Sequence, residues 1–247
     1  WDGLERLYGG LGQWDELVDA LIGLGDRQDD RDARLALVRR AARVASERQE
    51  PEKAARVWEK VLAIEPTDAI AARALVPTYQ KSDKPAKLLP VYEVLLAHCH
   101  TRDERLAQMA EIRALCEQRL GSRALALAWT VRAFELAPED PTLAAELLRL
   151  AQVPEHWREV AHALERVVGD ADRPADLRLR HLRTLATVHG DKLDDDAAAR
   201  DAYQRIRALA PADDEAEAAI ERLSEQLSDW PELLASYRRS AARATGA

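Results

Sequence analysis

Cysteine, glycine, proline and aromatic residues are all sparse in this chain, and each shortage removes a class of structure. Two cysteines in 247 residues, Cys99 and Cys116, cannot build a disulfide framework. They read as small, partly buried apolar residues on neighbouring helices, which fits a reducing, cytoplasmic setting. No run of eighteen apolar residues occurs, so no transmembrane helix is expected. Strand signals are missing as well: no stretch alternates Val, Ile and Thr. A net charge of −8 excludes a nucleic-acid binder working through a basic stripe. Lysine is rare too, since among 36 basic residues only Lys53, Lys60, Lys81, Lys84, Lys87 and Lys192 are lysine. A GC-rich bacterial genome is the plain explanation. Arginine is also the better side chain for a bidentate grip on carboxylates. The chain has no initiator Met and no signal peptide, and it opens on WDGLERLYGG, which reads as the end of a helix. It therefore reads as a piece of a longer protein.

What is abundant is Ala, Leu, Arg, Glu and Asp, mostly good helix formers, so the expected class is all-α. Apolar spacing and stop signals predict about fourteen helices. The first is Trp1–Tyr8, ended by Gly9-Gly10, and the second Trp14–Leu24, ended at Gly23/Gly25. Arg31–Arg48 and Glu52–Ile64 follow, then a helix capped by Asp68 and running to Gln80, which Pro77 is expected to kink or shorten. Next come Pro85–His98, Asp103–Arg119, Arg123–Leu136, Pro141–Leu150, Glu155–Val168 and Pro174–Val188. After a polar turn at Gly190–Asp194 come Asp196–Leu209, Asp213–Leu227 and Trp230–Ala244. The connections are short, so sequence neighbours run antiparallel. No linker divides the chain, and residues 1–247 read as a single repeat domain.

A repeat runs through these helices. Ala54, Trp58 and Pro66 recur as Ala126, Thr130 and Pro138, then as Ala199, Tyr203 and Pro211. The closing prolines are spaced 138 − 66 = 72 and 211 − 138 = 73. A second register, Leu88/Tyr92, Val160/Leu164 and Leu233/Tyr237, lies 34 residues behind the first (88 − 54, 160 − 126 and 233 − 199). Returning to the first register takes 126 − 88 = 38 and 199 − 160 = 39 residues. Trp14, Pro85, Trp157 and Trp230 mark the start of the second-register helix at spacings of 71, 72 and 73, and core packing between hairpins is their expected role.

Thirty-four residues of helix–turn–helix with a small residue, an aromatic four positions on and a closing proline resembles the tetratricopeptide repeat. Leu75 and Tyr79 fall where that family expects its first-helix leucine and tyrosine. Ala72 and Val76 replace its Trp and Gly, and Thr130 replaces an expected aromatic. The resemblance implies a right-handed α-α superhelix of about seven hairpins, stacked because one hairpin cannot bury its apolar face alone. Neither terminus reads as a polar cap, so both ends are expected to show apolar surface, with self-association through them as one outcome.

Candidate chemistry is thin. Gly9-Gly10-x-Gly12 has no strand before it and reads as a helix stop, not a phosphate cradle. His98-Cys99-His100 lacks a second pair of ligands at metal-binding spacing, and Asp194-Asp195-Asp196 reads as a turn and cap. His156 with His162, and His181 with His189, have no placed nucleophile or carboxylate. His181 lies in a basic helix turn with Arg178, Arg180 and Arg183 and reads as a solvated face. No catalytic group, metal or cofactor is expected. The resemblance implies that the first helix of each hairpin lines a concave groove for a partner peptide. The groove-facing positions are then Arg39, Arg43, Arg73, Gln80, Arg149, Gln152, Arg183 and Arg222. The six arginines would form a ladder suited to an acidic segment or a carboxyl terminus. The resulting expectation is a non-catalytic protein–protein interaction scaffold binding through its groove or edge. The alternatives are a regulatory or sensor segment of a larger multidomain protein, or a self-assembling module.

Overall fold

The closing prolines share a local sequence that dictates a turn: Glu65-Pro66-Thr67-Asp68, Ala137-Pro138-Glu139-Asp140 and Ala210-Pro211-Ala212-Asp213. Proline suits the second position of a β-turn, and aspartate is a preferred helix N-cap. In the computed structural model, which describes residues 2–48, 51–82 and 85–245, the three stretches fold alike. The Asp68 N–H donates to Glu65 O at 3.1 Å, the Asp140 N–H to Ala137 O at 3.1 Å and the Asp213 N–H to Ala210 O at 3.0 Å. Each carboxylate then accepts from the first turn of the next helix: Asp68 from Ile70 and Ala71, Asp140 from Thr142, Asp213 from Ala216. Such a cap is worth ~1 kcal/mol.

Among the described residues there are fourteen α-helices and no strand. They are α1 (Asp2–Leu11), α2 (Trp14–Asp26), α3 (Arg31–Glu47), α4 (Pro51–Ile64), α5 (Ala69–Lys81), α6 (Leu88–Ala97) and α7 (Arg102–Ala114), then α8 (Arg123–Leu136), α9 (Pro141–Leu150), α10 (Pro154–Gly169), α11 (Ala175–Thr187), α12 (Asp196–Leu209), α13 (Asp214–Gln226) and α14 (Trp230–Thr245). A single 3-10 turn, Pro85–Lys87, leads into α6, and π turns at Leu115–Arg119 and Val188–Lys192 extend α7 and α11.

The chain divides into two compact units, Trp1–Ser122 and Arg123–Ala247. In the first, each helix packs on the next from α1 to α7 around Leu17, Leu21, Val38, Val61, Leu75, Leu88 and Ile112. In the second, α8 packs on α9 and α10, and the succession then runs from α10 to α14 around Leu127, Phe134, Leu147, Leu164, Leu182, Ile206 and Ile220. Burying each such side chain stabilises by about 1.5–3 kcal/mol.

The alternation of 34-residue and longer spacings lies in the first helices. α3 has 17 residues, and α7 and α11 have 13 each with a five-residue π turn added. The intervening α5, α9 and α13 have 13, 10 and 13. The two π turns end alike, in a left-handed residue followed by a long-reach bond. Gly121 (φ 62°) precedes Ser122 N–H to Cys116 O at 2.8 Å, and Asp194 (φ 53°) precedes Asp195 N–H to His189 O at 2.9 Å.

Several expected boundaries shift. α1 runs through Gly9-Gly10, and the left-handed residue that ends it is Gly12 (φ 70°); Trp1 lies outside the described residues. α2 continues through Gly23 and Gly25 to Asp26. Gly25 is a contact residue: a Cβ there would stand 3.2 Å from Val38 Cγ2 of α3. Pro77 does not stop α5, which reaches Lys81. The polar turn predicted at Gly190–Asp194 is largely helical, because the π turn carries α11 on to Lys192. Cys116 is buried, whereas Cys99 lies half-buried past the end of α6 with its thiol on Leu95 O; both are free thiols. Thr130 is fully buried and satisfies its hydroxyl on Ala126 O at 2.8 Å, and the neighbouring Trp129 supplies the buried ring.

Candidate functional site

Four of the six arginines assigned to the groove occupy one helix position, nine residues after the cap: 39 − 30, 149 − 140, 183 − 174 and 222 − 213. What each does depends on the next first helix in its unit. Arg39 Nε donates to Asp68 Oδ2 at 2.6 Å, and Asp68 is the N-cap of α5 with a carboxylate only 1 % exposed. Burial opposes ionisation of Asp68, but the Ala71 N–H and the Arg39 guanidinium outweigh it and hold the carboxyl below its usual range. Arg183 does the same in the second unit, with Nη2 on Asp213 Oδ2 at 2.5 Å. After α9 the equivalent cap residue is Pro174, which offers no carboxylate. Arg149 turns back to Glu146 of its own helix at 2.8 Å. Arg222 reaches Gln226 one turn on, at 3.3 Å.

Gln80 and Gln152 are tethered as well. Gln80 Nε2 donates to Tyr92 Oη at 3.1 Å, its backbone carbonyl accepts from Arg119, and Gln152 accepts from Arg123. Arg43 and Arg73 differ: both are exposed, and neither forms an ion pair among the described residues. They stand on α3 and α5, the first helices of successive hairpins. Arg43 lines an open recess of about 670 Å³ with Arg39, Arg40, Glu47 and Trp14.

The tryptophans expected in the core lie elsewhere. Trp14 and Trp157 are half-buried at helix starts, and Trp230 is 61 % exposed. A cation lies over each of the first two rings: Arg48 at 3.5 Å from the Trp14 centroid and Lys192 at 5.6 Å from that of Trp157. The spacings 48 − 14 = 34 and 192 − 157 = 35 are one repeat long, a signal present in the sequence and not used. His181 is also misplaced by sequence reasoning. It is 2 % exposed, not a solvated face, with Nε2 on Pro138 O at 2.8 Å and its ring edge-on to Phe134 at 5.1 Å. The turn that closes α8 packs over it, and burial depresses its pKa.

A second polar cluster in the first unit joins three elements: Tyr79 Oη and Lys87 Nζ each donate to Glu59 Oε1 at 2.5 Å. Burial opposes the Glu59 charge, yet those two donors keep its pKa below normal, while burial and the same carboxylate push the Tyr79 phenol up. This makes a fastening, since every group already has its partner. Among the described residues no three His, Cys, Asp or Glu side chains are grouped to hold a metal ion, and no helix is long and apolar enough to cross a membrane.

No protein-family model matches the chain, and no curated protein does. Solved structures resemble it weakly, these two among them. One is the crystal structure of the APC/C hetero-tetramer Cut9-Hcn1, at 18 % identity and TM-score 0.33, covering 97 % of this chain and 45 % of that one. This chain therefore spans less than half the length of that one. The other is BtubC (BKLC) from P. vanneervenii, at 12 % identity and TM-score 0.28, covering 98 % of this chain and 91 % of that one. At these scores the fold rests on the helices themselves.

Proposed function

We propose that the chain is a non-catalytic protein-interaction scaffold, its two units acting as one repeat domain, that holds an acidic segment or carboxyl terminus of a partner protein on the first helices of its hairpins. The observation that carries this is the pair of exposed arginines, Arg43 and Arg73, on successive first helices, with Arg43 lining a recess bordered by Trp14. A guanidinium without an internal carboxylate is available for bidentate contact with a ligand carboxylate, and the adjacent indole offers apolar surface. Arg39 and Arg183 contribute less, because a ligand carboxylate would have to displace a cap aspartate from each. Arg149, paired with Glu146, and Arg222, bonded to Gln226, carry the same side-chain chemistry on first helices of the second unit.

The test is fluorescence anisotropy with a labelled glutamate-rich peptide carrying a free carboxyl terminus. Reversing both charges, Arg43→Glu with Arg73→Glu, is expected to weaken binding by about tenfold or more. Raised salt is expected to weaken the wild type in the same direction. Equal affinity of wild type and double variant would remove the arginine reading.

A further inference from the structure

The residues around the recess on α3 have counterparts in the second unit, on α11 and its π turn, 144 positions on (183 − 39, 188 − 44 and 192 − 48). Residues with a structural task keep their type. Arg39 and Arg183 each hold the cap aspartate of the next first helix. Arg48 and Lys192 each lie over the tryptophan near the start of the helix before, Trp14 or Trp157. Val44 and Val188 are both buried, and Glu47 and Asp191 are both acidic. Three positions differ. Ala36 is matched by Arg180, and Arg40 and Arg43 are matched by Thr184 and Thr187. The two threonine hydroxyls turn back to Arg180 O and Arg183 O of their own helix. Hairpin packing therefore requires a cation at neither of those last two positions.

What the first unit gains is positive charge around one recess. Arg39, Arg40 and Arg43 border it with Trp14 and Glu47, over the apolar surface of Ala36 and Val44. Arg39 is committed to Asp68. Arg43, and Arg48 against the Trp14 ring, are exposed and meet no carboxylate among the described residues. Glu47 stands one turn beyond Arg43 on the same helix face, so a run of carboxylates entering here meets a like charge. A single group of higher charge avoids that conflict. A phosphoryl group carries about −1.5 to −2 at neutral pH and three acceptor oxygens, enough to engage two guanidiniums. The recess is open, so a free small molecule would leave much of its surface in water, and the group fits best when carried on a longer chain.

We propose that this recess receives a phosphorylated serine or threonine on a segment of a partner protein, with Arg43 as its main contact and Arg48, beside Trp14, as the second. This rests on the arginine reading of the groove given above and narrows it. The recognised feature is one phosphoryl group, not a stretch of acidic side chains, and the residues flanking it lie on Ala36, Val44 and the indole.

Fluorescence anisotropy with three labelled peptides tests this. They share leucine-containing flanks and an amidated carboxyl terminus, and carry serine, phosphoserine or three glutamates at the centre. The phosphopeptide is expected to bind about tenfold tighter than the triglutamate peptide, and the serine peptide weakest. Arg43→Thr, the residue type α11 carries at that position, should abolish the preference while circular dichroism shows unchanged helicity. Glu47→Gln should strengthen the triglutamate peptide more than the phosphopeptide. Inorganic phosphate should compete only far above the phosphopeptide's own concentration, and competition on equal terms would overturn a peptide ligand. Equal affinity for the phosphopeptide and the triglutamate peptide, both lost in Arg43→Glu with Arg73→Glu, overturns the phosphoryl proposal and leaves the acidic-segment reading standing. If neither peptide binds, both fall together.

Discussion

The two units build similar hairpins but fasten them differently. In the first, the polar ties between elements are mostly at the surface: Lys53 to Asp15, Lys87 to Glu59 and Arg31 to Glu65 all leave at least one partner well exposed. The buried exception is Asp68 under Arg39. The second unit has surface ties of the same kind, Arg166 to Glu135 and Arg205 to Glu165, and adds an inward cluster on α13 and α14. Glu217 of α13 accepts from Ser236 and Arg239 of α14, and Glu232 accepts from Arg239 at 2.9 Å and from Arg207 of α12 at 3.0 Å. Glu217 is only 4 % exposed. Burial opposes the charge on both glutamates, but the hydroxyl and guanidinium donors prevail and lower both pKa values. Exposed pairs contribute ~0–1 kcal/mol, whereas removing one member of a buried pair strands its partner at ~3–5 kcal/mol. The same residue types therefore carry different weight in the two units.

The largest effect expected from that contrast is at Glu217. Glu217→Ala should destabilise the second unit by about 3 kcal/mol, read as a shifted urea midpoint, because Arg239 keeps only Glu232. A cost within error of zero would mean the cluster is solvated in practice. Asp68→Ala in the first unit should cost about 2 kcal/mol, combining the lost cap with an unpaired Arg39. Arg39→Ala added to it should then cost little more. Lys87→Ala should cost less than ~1 kcal/mol, and high salt should erase most of the difference.

The smallest effect is a pH dependence just below neutrality, set by His181 in the second unit. His181 has its folded-state pKa depressed from 6.5 by burial. Below 6.5 the unfolded chain takes up the proton first, so the stabilisation present at neutral pH declines as pH falls toward the folded-state value. Urea midpoints at pH 7.5 and 5.5 should differ more for wild type than for His181→Gln. The lowered carboxylates Asp68, Glu217 and Glu232 act in the same direction but at lower pH, below the ordinary glutamate value of 4.5.

Much of the fold was legible because its signals are local. The helix over Arg123–Leu136 was read to the residue, and the closing prolines Pro66, Pro138 and Pro211 mark three turns that form alike. Glycine misled where its reason for being there was a neighbour: Gly25 is small for the sake of Val38, not to end a helix. The arginines lie on the first helices of their hairpins, but their partners were not visible in the sequence. Arg39 meets a carboxylate 29 residues away, whereas Arg149, at the same helix position, finds Pro174 where the carboxylate would be.

The sequence alone determined the all-α class, the helix order, the caps and the alternation of short and long units, since these depend on contacts within about one turn or on a repeat that can be counted. Only the tertiary structure decided which charges are consumed, why His181 is buried, and why Trp14 and Trp157 lie under cations while Trp230 faces solvent. Those outcomes depend on which helix packs next, and equal sequence positions acquire unequal surroundings when the neighbour changes.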